Sequence, residues 1–381
     1  MDFNYTESEL EVKKLARDFA ENEIAPVIAE FDESQEFPHE IIKKAGELGF
    51  MGITFPEVYG GSNMKTSEYS IIIEEISKVD PSVGLTVAAH NGLCTNHLYS
   101  FGNEEQRKKY LPDLTSGRKV GAWGLTESVS GSDAAAMATT AEKKGNKYIM
   151  NGSKLFITHA KVGETAVITA VTDKTKKSKG ISAFILEKGF KGFKVGKKEN
   201  KLGMRSSDTA ELIFEDCEIP EENLLGNEGE GFKQAMAVLD GGRIAIAALS
   251  LGIAQGALDA SVKYAKQRKQ FGKFLAEFQG IQFKIAQMQM ETEAARLLVH
   301  KACHLKDNGK NFSLEASMAK YYASEIATRA TNEAIQIHGG YGYMKEFFVE
   351  KLFRDVKLLT IGEGTSEVQK MIIAKKILDL Y

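Results

Sequence analysis

Three short segments carry residue types that chemistry can use. The first is Gly362-Glu363-Gly364-Thr365-Ser366-Glu367, a carboxylate between two glycines just ahead of a helical pattern. A general base that must reach a substrate carbon needs such steric access. A carboxylate capping a helix N-terminus, worth at most about 1 kcal/mol, has the same sequence. The second is Gly124-Leu125-Thr126-Glu127-Ser128-Val129-Ser130-Gly131-Ser132-Asp133, where an apolar strand enters a turn. Its N–H groups and hydroxyls could hold a phosphate or a polar ring edge, and an ordinary Ser/Gly turn reads the same way. It is not a P-loop, because no Gly-Lys-Ser/Thr follows, and no G-x-G-x-x-G opens a helix after a strand. The third is Gln336-Ile337-His338-Gly339-Gly340-Tyr341-Gly342-Tyr343. Glycines after a helix mean a C-cap with positive φ, and they also let a backbone approach a ligand closely. His338 is an acid–base group by type, but a lone histidine is more often packed and hydrogen-bonded.

The elements that must position these segments come from a chain of 381 residues, enough for two or three domains. With 43% apolar and 27% charged residues it is of ordinary globular composition, which excludes disorder and collagen-like repeats. The 49 basic and 52 acidic residues leave a net charge of −3, without the footprint of a nucleic-acid or anionic-membrane partner. Cys94, Cys217 and Cys303 show no CxxC spacing, which excludes a disulfide scaffold and a zinc site of the usual pattern. The longest uncharged stretch, 81–103, reaches the ~20 residues of a membrane span. His90, Asn91, Asn96, His97 and Asn103 interrupt it, and the shorter, Ala- and Gly-rich 244–258 reads as a tightly packed bundle helix. Met1-Asp2-Phe3-Asn4-Tyr5 has neither the basic and apolar regions of a signal peptide nor an Arg-rich transit character. A soluble, cytoplasmic protein is expected.

The texture runs α, then β, then α. Thr6-Glu7-Ser8-Glu9 is a capping-box pattern, and Val12, Leu15, Ala16 and Phe19 then recur on one face. Pro26 marks a break, and further helices fit 40–48, 67–79 and 104–110, with Gly60-Gly61 punctuating a loop. Short apolar runs at 166–171, 181–186 and 210–214 predict strands, with Asn151-Gly152 and the basic turn 174–179 between them. Helices return over 252–266, 278–306 and 314–338. A last one begins at Thr365 or Ser366, Gln369 completing an S-x-x-Q box, and runs toward Tyr381. The division is an N-terminal helical domain over 1–118, a β-barrel or sandwich over 119–228, and a C-terminal four-helix bundle over 229–381.

Together the three segments resemble the acyl-CoA dehydrogenase family, in order and spacing over essentially the whole chain, and most closely its short-chain, butyryl-type members. One family signature is Gly124 through Asp133; the other runs from Gln336 through Gly339, Gly340, Gly342, Glu346 and Lys351 to Asp355. The resemblance implies the mainly α fold with a central β-domain just described. It also implies FAD held between the β-domain and the C-terminal bundle. On the matching positions Trp123, Leu125 and Thr126 line the flavin ring, Gly131 and Ser132 approach the cofactor and the thioester arm, and Phe156 and Thr158 cover the other side. Thr365 and Glu367 resemble residues that reach the FAD diphosphate and ribose. Arg268, Phe271, Gln336 and Gly340 resemble those that a neighbouring subunit sends to the same cofactor, the Arg fork matching phosphate oxygens. A shared site implies an obligate oligomer, in this family usually a tetramer.

Asp240 and Arg243 match a pair near the CoA arm, although an Asp–Arg ion pair needs no substrate, and Gly364 belongs with the substrate-contacting loop. Glu363 resembles the base that removes the α-proton of an acyl-CoA, hydride then leaving the β-carbon for the flavin to give a trans-2-enoyl-CoA. Two hydrogen bonds to the thioester carbonyl, from the FAD ribityl hydroxyl and the Glu363 backbone N–H, are the family's device for stabilising the developing charge. The resemblance implies that the electrons pass to an electron-transferring flavoprotein.

Departures from the usual pattern fall at three places. Gly242 stands where some relatives place the base, so Glu363 has no competitor, and Ser128-Val129 replaces Pro-Gly. Most straight-chain members carry a Tyr at position 362 that walls the acyl cavity, and the Gly362 found there resembles the isovaleryl-type members. A branched or cyclic acyl group is therefore the expectation, against an ordinary butyryl-type pocket refilled by a bulky neighbour. An enoyl-CoA reductase running in reverse, a flavin oxidase or oxygenase, and a non-catalytic flavoprotein scaffold are the competing functions.

Overall fold

In the computed structural model, which describes residues 4–379, helix α1 (Glu7–Phe19) begins with the expected reciprocal box. Thr6 Oγ1 accepts from the Glu9 N–H, and the Glu9 carboxylate accepts from the Thr6 N–H. Val12, Ala16 and Phe19 follow one turn apart and are buried. A π-turn at Ala20–Ile24 leads to α2 (Ile28–Ser34) and α3 (His39–Glu47), the break falling at Pro26. α4 (Thr66–Val79) takes its cap from afar: the Asp307 carboxylate accepts from the Thr66 and Ser67 N–H groups at 2.7 and 3.1 Å. α5 (Pro81–Ala89), α6 (Asn96–Phe101) and α7 (Glu104–Thr115) follow. α7 runs past Pro112, beyond the expected end near residue 110. Burial of Leu111 and Leu114 offsets the backbone bond that the proline forgoes.

Eight strands form the middle unit: β1 (Gly121–Gly124), β2 (Thr140–Lys144), β3 (Lys147–Thr158), β4 (Thr165–Val171), β5 (Ile181–Glu187), β6 (Phe193–Lys198), β7 (Thr209–Pro220) and β8 (Leu224–Leu225). Their order is β6-β7-β3-β2-β4-β5-β8, with β1 parallel on β4. β4 and β5 are apolar on both faces. Ala166, Ile168, Phe184 and Leu186 join a core that all the longer strands share, while Val167, Ala183 and Ile185 pack on Leu98, Leu111 and Leu114 of the N-terminal helices. Asn151-Gly152, expected as a turn, lies inside β3. The register against β7 slips between Met150 and Gly152, so the pair makes a bulge, with Gly152 at φ +138°.

The C-terminal part holds α8 (Gly231–Gln267), a small hairpin of β9 (Lys269–Gln270) and β10 (Lys273–Phe274), α9 (Gln279–Asp307), α10 (Ser313–His338), α11 (Val349–Val356) and α12 (Ser366–Ile377). α8 is far longer than the 252–266 expected. Gly252 and Gly256, which look like weak points, are where α8 crosses α4: a Cβ there would lie 2.4 Å from Glu74 O and 2.6 Å from Lys78 O. By length and composition α8 alone among the described residues could cross a membrane, but 78% of its most apolar window is buried inside the protein. It is the bundle's core helix. The S-x-x-Q box does not form. Thr365 caps α12, Ser366 bonds Glu325, and Gln369 turns back to the Glu363 loop. Tyr381, toward which this helix was expected to run, lies outside the described residues.

Candidate active site

Glu363 sits on the loop between a 3₁₀ turn (Lys357–Thr360) and α12, at φ +52°, a left-handed backbone that residues with a Cβ seldom adopt. Its side chain points at α8. A Cβ added to Gly242 would lie 2.1 Å from Glu363 Oε2, so the glycine is what makes room for the carboxylate. Oε2 is buried and has no hydrogen-bond partner. Burial pushes the carboxyl up to about 7, the positive charges of Lys320 and Arg243 offsetting only part of that cost. Arg243, one residue on, pairs with Asp240, which also accepts from Ser313 Oγ at 3.1 Å. Across the gap Tyr69 donates its hydroxyl to Ala88 O, and the Leu93 side chain comes within 3.4 Å of the Gly242 Cβ position. Among the described residues, the Glu363 N–H meets no acceptor.

The same helix carries the connection to the β-domain. Leu125 and Trp123 pack with Ala235, Met236 and Leu239, one turn before Gly242. The Leu155 N–H donates to Thr126 O at 2.8 Å, so the β1 and β3 ends that carry Trp123, Leu125, Thr126, Phe156 and Thr158 are tied together. Glu127, inside the first signature, is structural. It accepts from the Ala138 and Thr139 N–H groups and from buried Lys154 Nζ at 2.6 Å, leaving Gly131 and Ser132 exposed at the tip of the turn.

A second group lies at the far end of α8, on the order of 40 Å along the axis from Arg243. Arg268 and Gly340 line one cleft of about 470 Å³ with Tyr264, His338 and Tyr341. Gln336 and Phe271 are exposed nearby in the sequence, Phe271 to 92%. His338 is structural here: its Nδ1–H donates to Ala334 O at 2.7 Å and its ring stacks on Tyr264 at 4.2 Å.

Residue typing missed a set behind Trp123. Its Nε1–H donates to His97 Nδ1 at 2.9 Å, His97 Nε2–H donates to Gln234 Oε1 at 3.0 Å, and Gln234 donates to Leu225 O. The tautomer follows from the indole, which can only donate. Lys320 and Gln369, which reach the carbonyls beside Glu363, were missed as well. The Trp123–His97, His97–Gln234 and Lys320–Gly364 contacts span 26, 137 and 44 residues, and no local spacing announces them.

Three family models cover nearly the whole chain: the acyl-CoA dehydrogenase N-terminal domain over 6–118, the middle domain over 122–217 and the C-terminal domain over 229–378. The chain belongs to the acyl-CoA dehydrogenase family. It is therefore an oxidoreductase by family. It is 50% identical over 99% of its length to the complete short-chain specific acyl-CoA dehydrogenase of Clostridium acetobutylicum. It is 47% identical, over 98% of its length and 99% of the relative's, to the caffeyl-CoA reductase–Etf complex subunit CarC of Acetobacterium woodii. The butyryl-CoA dehydrogenase structure from Megasphaera elsdenii superposes with a TM-score of 0.98 at 47% identity, covering 99% of this chain and all of that one.

Members of this family are FAD-dependent, and the residues present fit that group. Phe156 and Phe271 are exposed aromatic rings on left-handed backbone, and a Cβ at Gly131, Gly339 or Gly340 would meet only open space. Such surfaces suit a planar ring system and a diphosphate approached by backbone.

Proposed function

We propose that this acyl-CoA dehydrogenase acts on short-chain acyl-CoA, with Glu363 removing the α-proton to yield a trans-2-enoyl-CoA. The observation that carries the reading is the buried, unpartnered Oε2 of a carboxyl poised at about 7, aimed into space that Gly242 leaves open. A base titrating near the operating pH is both ionised and basic enough to work. The free Glu363 N–H is the donor that stabilises the thioester oxygen as charge develops. Asp240, Arg243, Ser132 and Gly364 orient the CoA arm. When bound, FAD supplies the acceptor for the hydride that leaves the β-carbon. Trp123, Leu125, Thr126, Phe156 and Thr158 hold its ring, with Gly131, Ser132, Thr365 and Glu367 toward the rest of the cofactor.

The separation of Arg268, Phe271, Gln336 and Gly340 from the Glu363 end of α8 supports a site completed by a second copy, hence a homo-oligomer such as a tetramer. The three units 1–118, 119–228 and 229–381 belong to this reading, as does a place in the cytoplasm. The partner that takes the electrons is an electron-transferring flavoprotein, which the name of the Acetobacterium relative, a subunit of an Etf complex, supports. The same name favours a second reading, enoyl-CoA reduction by the same residues in reverse. The nearest neighbour of a Cβ added at Gly362 would be Leu358, at 3.5 Å, an ordinary contact without the ring of a Tyr, and a branched or cyclic acyl group belongs to this reading.

Anaerobic titration of the FAD-loaded protein with a panel of acyl-CoAs, following the oxidised-flavin band, tests this. Bleaching by one acyl class that is lost in Glu363→Gln is the expected result. Reoxidation of the reduced protein by enoyl-CoA without such bleaching would instead establish the reductase reading. The ratio of kcat/KM for isovaleryl- or cyclohexanecarboxyl-CoA over butyryl-CoA tests the cavity, and a tight preference for butyryl-CoA would remove the wider-pocket idea.

A further inference from the structure

We infer that Lys320, together with Gln369, is a positioning residue for Glu363: it clamps the loop through the Gly364 carbonyl and sets one buried positive charge beside the reacting carboxylate. The inference rests on the reading of Glu363 as the base.

Lys320 lies on α10 and is 0% exposed, an unusual place for a lysine. Its Nζ donates to Gly364 O at 2.6 Å. The Gln369 amide, equally buried, lies 3.3 Å from Glu363 O and 3.1 Å from Gly364 O. Both peptide carbonyls that follow Cα of Glu363 are thus held from below. That restraint keeps a non-glycine residue at φ +52° and fixes where its side chain leaves the loop.

What Lys320 does not do matters equally. Among the described residues no ion pair joins it to Glu363, whose Oε2 remains unpartnered. A direct salt bridge would occupy the lone pair that must take the proton. By spending its hydrogen bond on a backbone carbonyl, Lys320 contributes charge without blocking the base. The other groups that face the pair are Arg243 with Asp240 from α8, Tyr69 from α4, Glu325 from α10 and Glu367 from α12. Arg243 is already matched by Asp240, and Glu325 accepts the Ser366 hydroxyl at 2.6 Å. Lys320 is therefore the cation that most directly holds Glu363 ionisable. Burial pushes Lys320 itself down to about 8, the charge of Glu363 holding it up in part.

The test uses Lys320→Met, Lys320→Gln and Lys320→Arg in the FAD-loaded protein, with FAD content confirming the fold. Single-turnover flavin reduction by butyryl-CoA is followed from about pH 5 to 9. The rising limb should move up by about one unit or more in the Met and Gln variants, because an opposing charge has gone, and stay in place in the Arg variant. The plateau at high pH should fall further in Met than in Gln, whose amide can still donate to Gly364 O. A substrate-free readout is the Glu363 carboxyl band in infrared difference spectra, titrated against Glu363→Gln as blank. Should the Met variant not fold, Gln against Arg decides. A limb and carboxyl titration unmoved in Lys320→Gln overturn the role of Lys320. Wild-type protein that never bleaches, or bleaching that survives Glu363→Gln, overturns the base assignment instead.

Discussion

Around Lys351, every buried charge has a partner. Its Nζ donates to Asp80 Oδ2 at 2.5 Å and to Asp355 Oδ2 at 2.6 Å. Asp355 also accepts the Met204 N–H at 2.5 Å and Asp80 the Val83 N–H at 2.7 Å. Burial alone would push the Lys351 ammonium down; the two aspartates more than offset it and hold it above the ordinary lysine value. Around Glu363 the wiring is the reverse. Two cations are close, yet one bonds a backbone carbonyl and the other pairs with Asp240, so the carboxylate keeps a bare oxygen. The first cluster joins α11, the α4–α5 junction and the loop before β7, and its completeness makes it inert. The second is incomplete, and incompleteness at a buried carboxylate is what the proposed role as a base needs.

The largest effect should come from breaking the incomplete cluster. Glu363→Gln should slow flavin reduction by acyl-CoA by roughly 10²–10⁴-fold in stopped-flow measurements, with FAD content unchanged. Next is the complete cluster: Lys351→Met strands two buried carboxylates and should cost about 3–5 kcal/mol of stability in denaturant unfolding. The surviving folded fraction should keep its pH profile. If Lys351→Met instead shifted that profile as Glu363 variants do, the contrast between the clusters would collapse.

The contrast also has a pH signature. Burial holds the Glu363 carboxyl near 7 in the folded chain against an ordinary value of 4.5, so between these values the folded state holds the extra proton. Stability from this group is present below about pH 4.5 and lost as pH rises toward 7. Glu363→Gln should therefore gain on the wild type across that window, by at most about 3 kcal/mol, and the two unfolding curves should converge in acid. A smaller effect is expected from Gly242→Ala. Its Cβ would collide with Oε2 and swing the carboxylate aside, costing on the order of tenfold to a hundredfold in the reduction rate with little change in the unfolding midpoint.

Much of this was legible in the residues. The Thr6 box, the strands β4 and β5, and the Glu363 loop stand where patterning and motif put them, because each is decided within a few residues of itself. The failures share one physical cause. Asn151-Gly152 has turn chemistry, but pairing with β7 keeps it in a strand as a bulge. Ser366 and Gln369 have capping chemistry, but tertiary partners at Glu325 and at the Glu363 and Gly364 carbonyls take their side chains away. Lys320 reads as one more polar residue of a helix, since its acceptor is 44 residues away. Local sequence signals report the commonest local pairing, and these side chains were won by groups outside that pattern.

The smallest expected effect tests whether the proposed flavin wall belongs with the complete cluster or the incomplete one. Trp123, His97 and Gln234 form a satisfied chain of neutral hydrogen bonds, which suits it to orient that proposed wall and to move no proton. His97→Phe keeps a ring of similar size but strands the indole N–H and the Gln234 carbonyl, which should cost about 1–3 kcal/mol. Trp123 is the single tryptophan of the chain, so its emission reports the change directly. A shifted emission maximum, weaker FAD retention and an unmoved pH limb are expected. A moved limb would mean that this chain, buried and neutral as it is, exchanges protons with the site around Glu363, and completeness would no longer separate scaffold from chemistry.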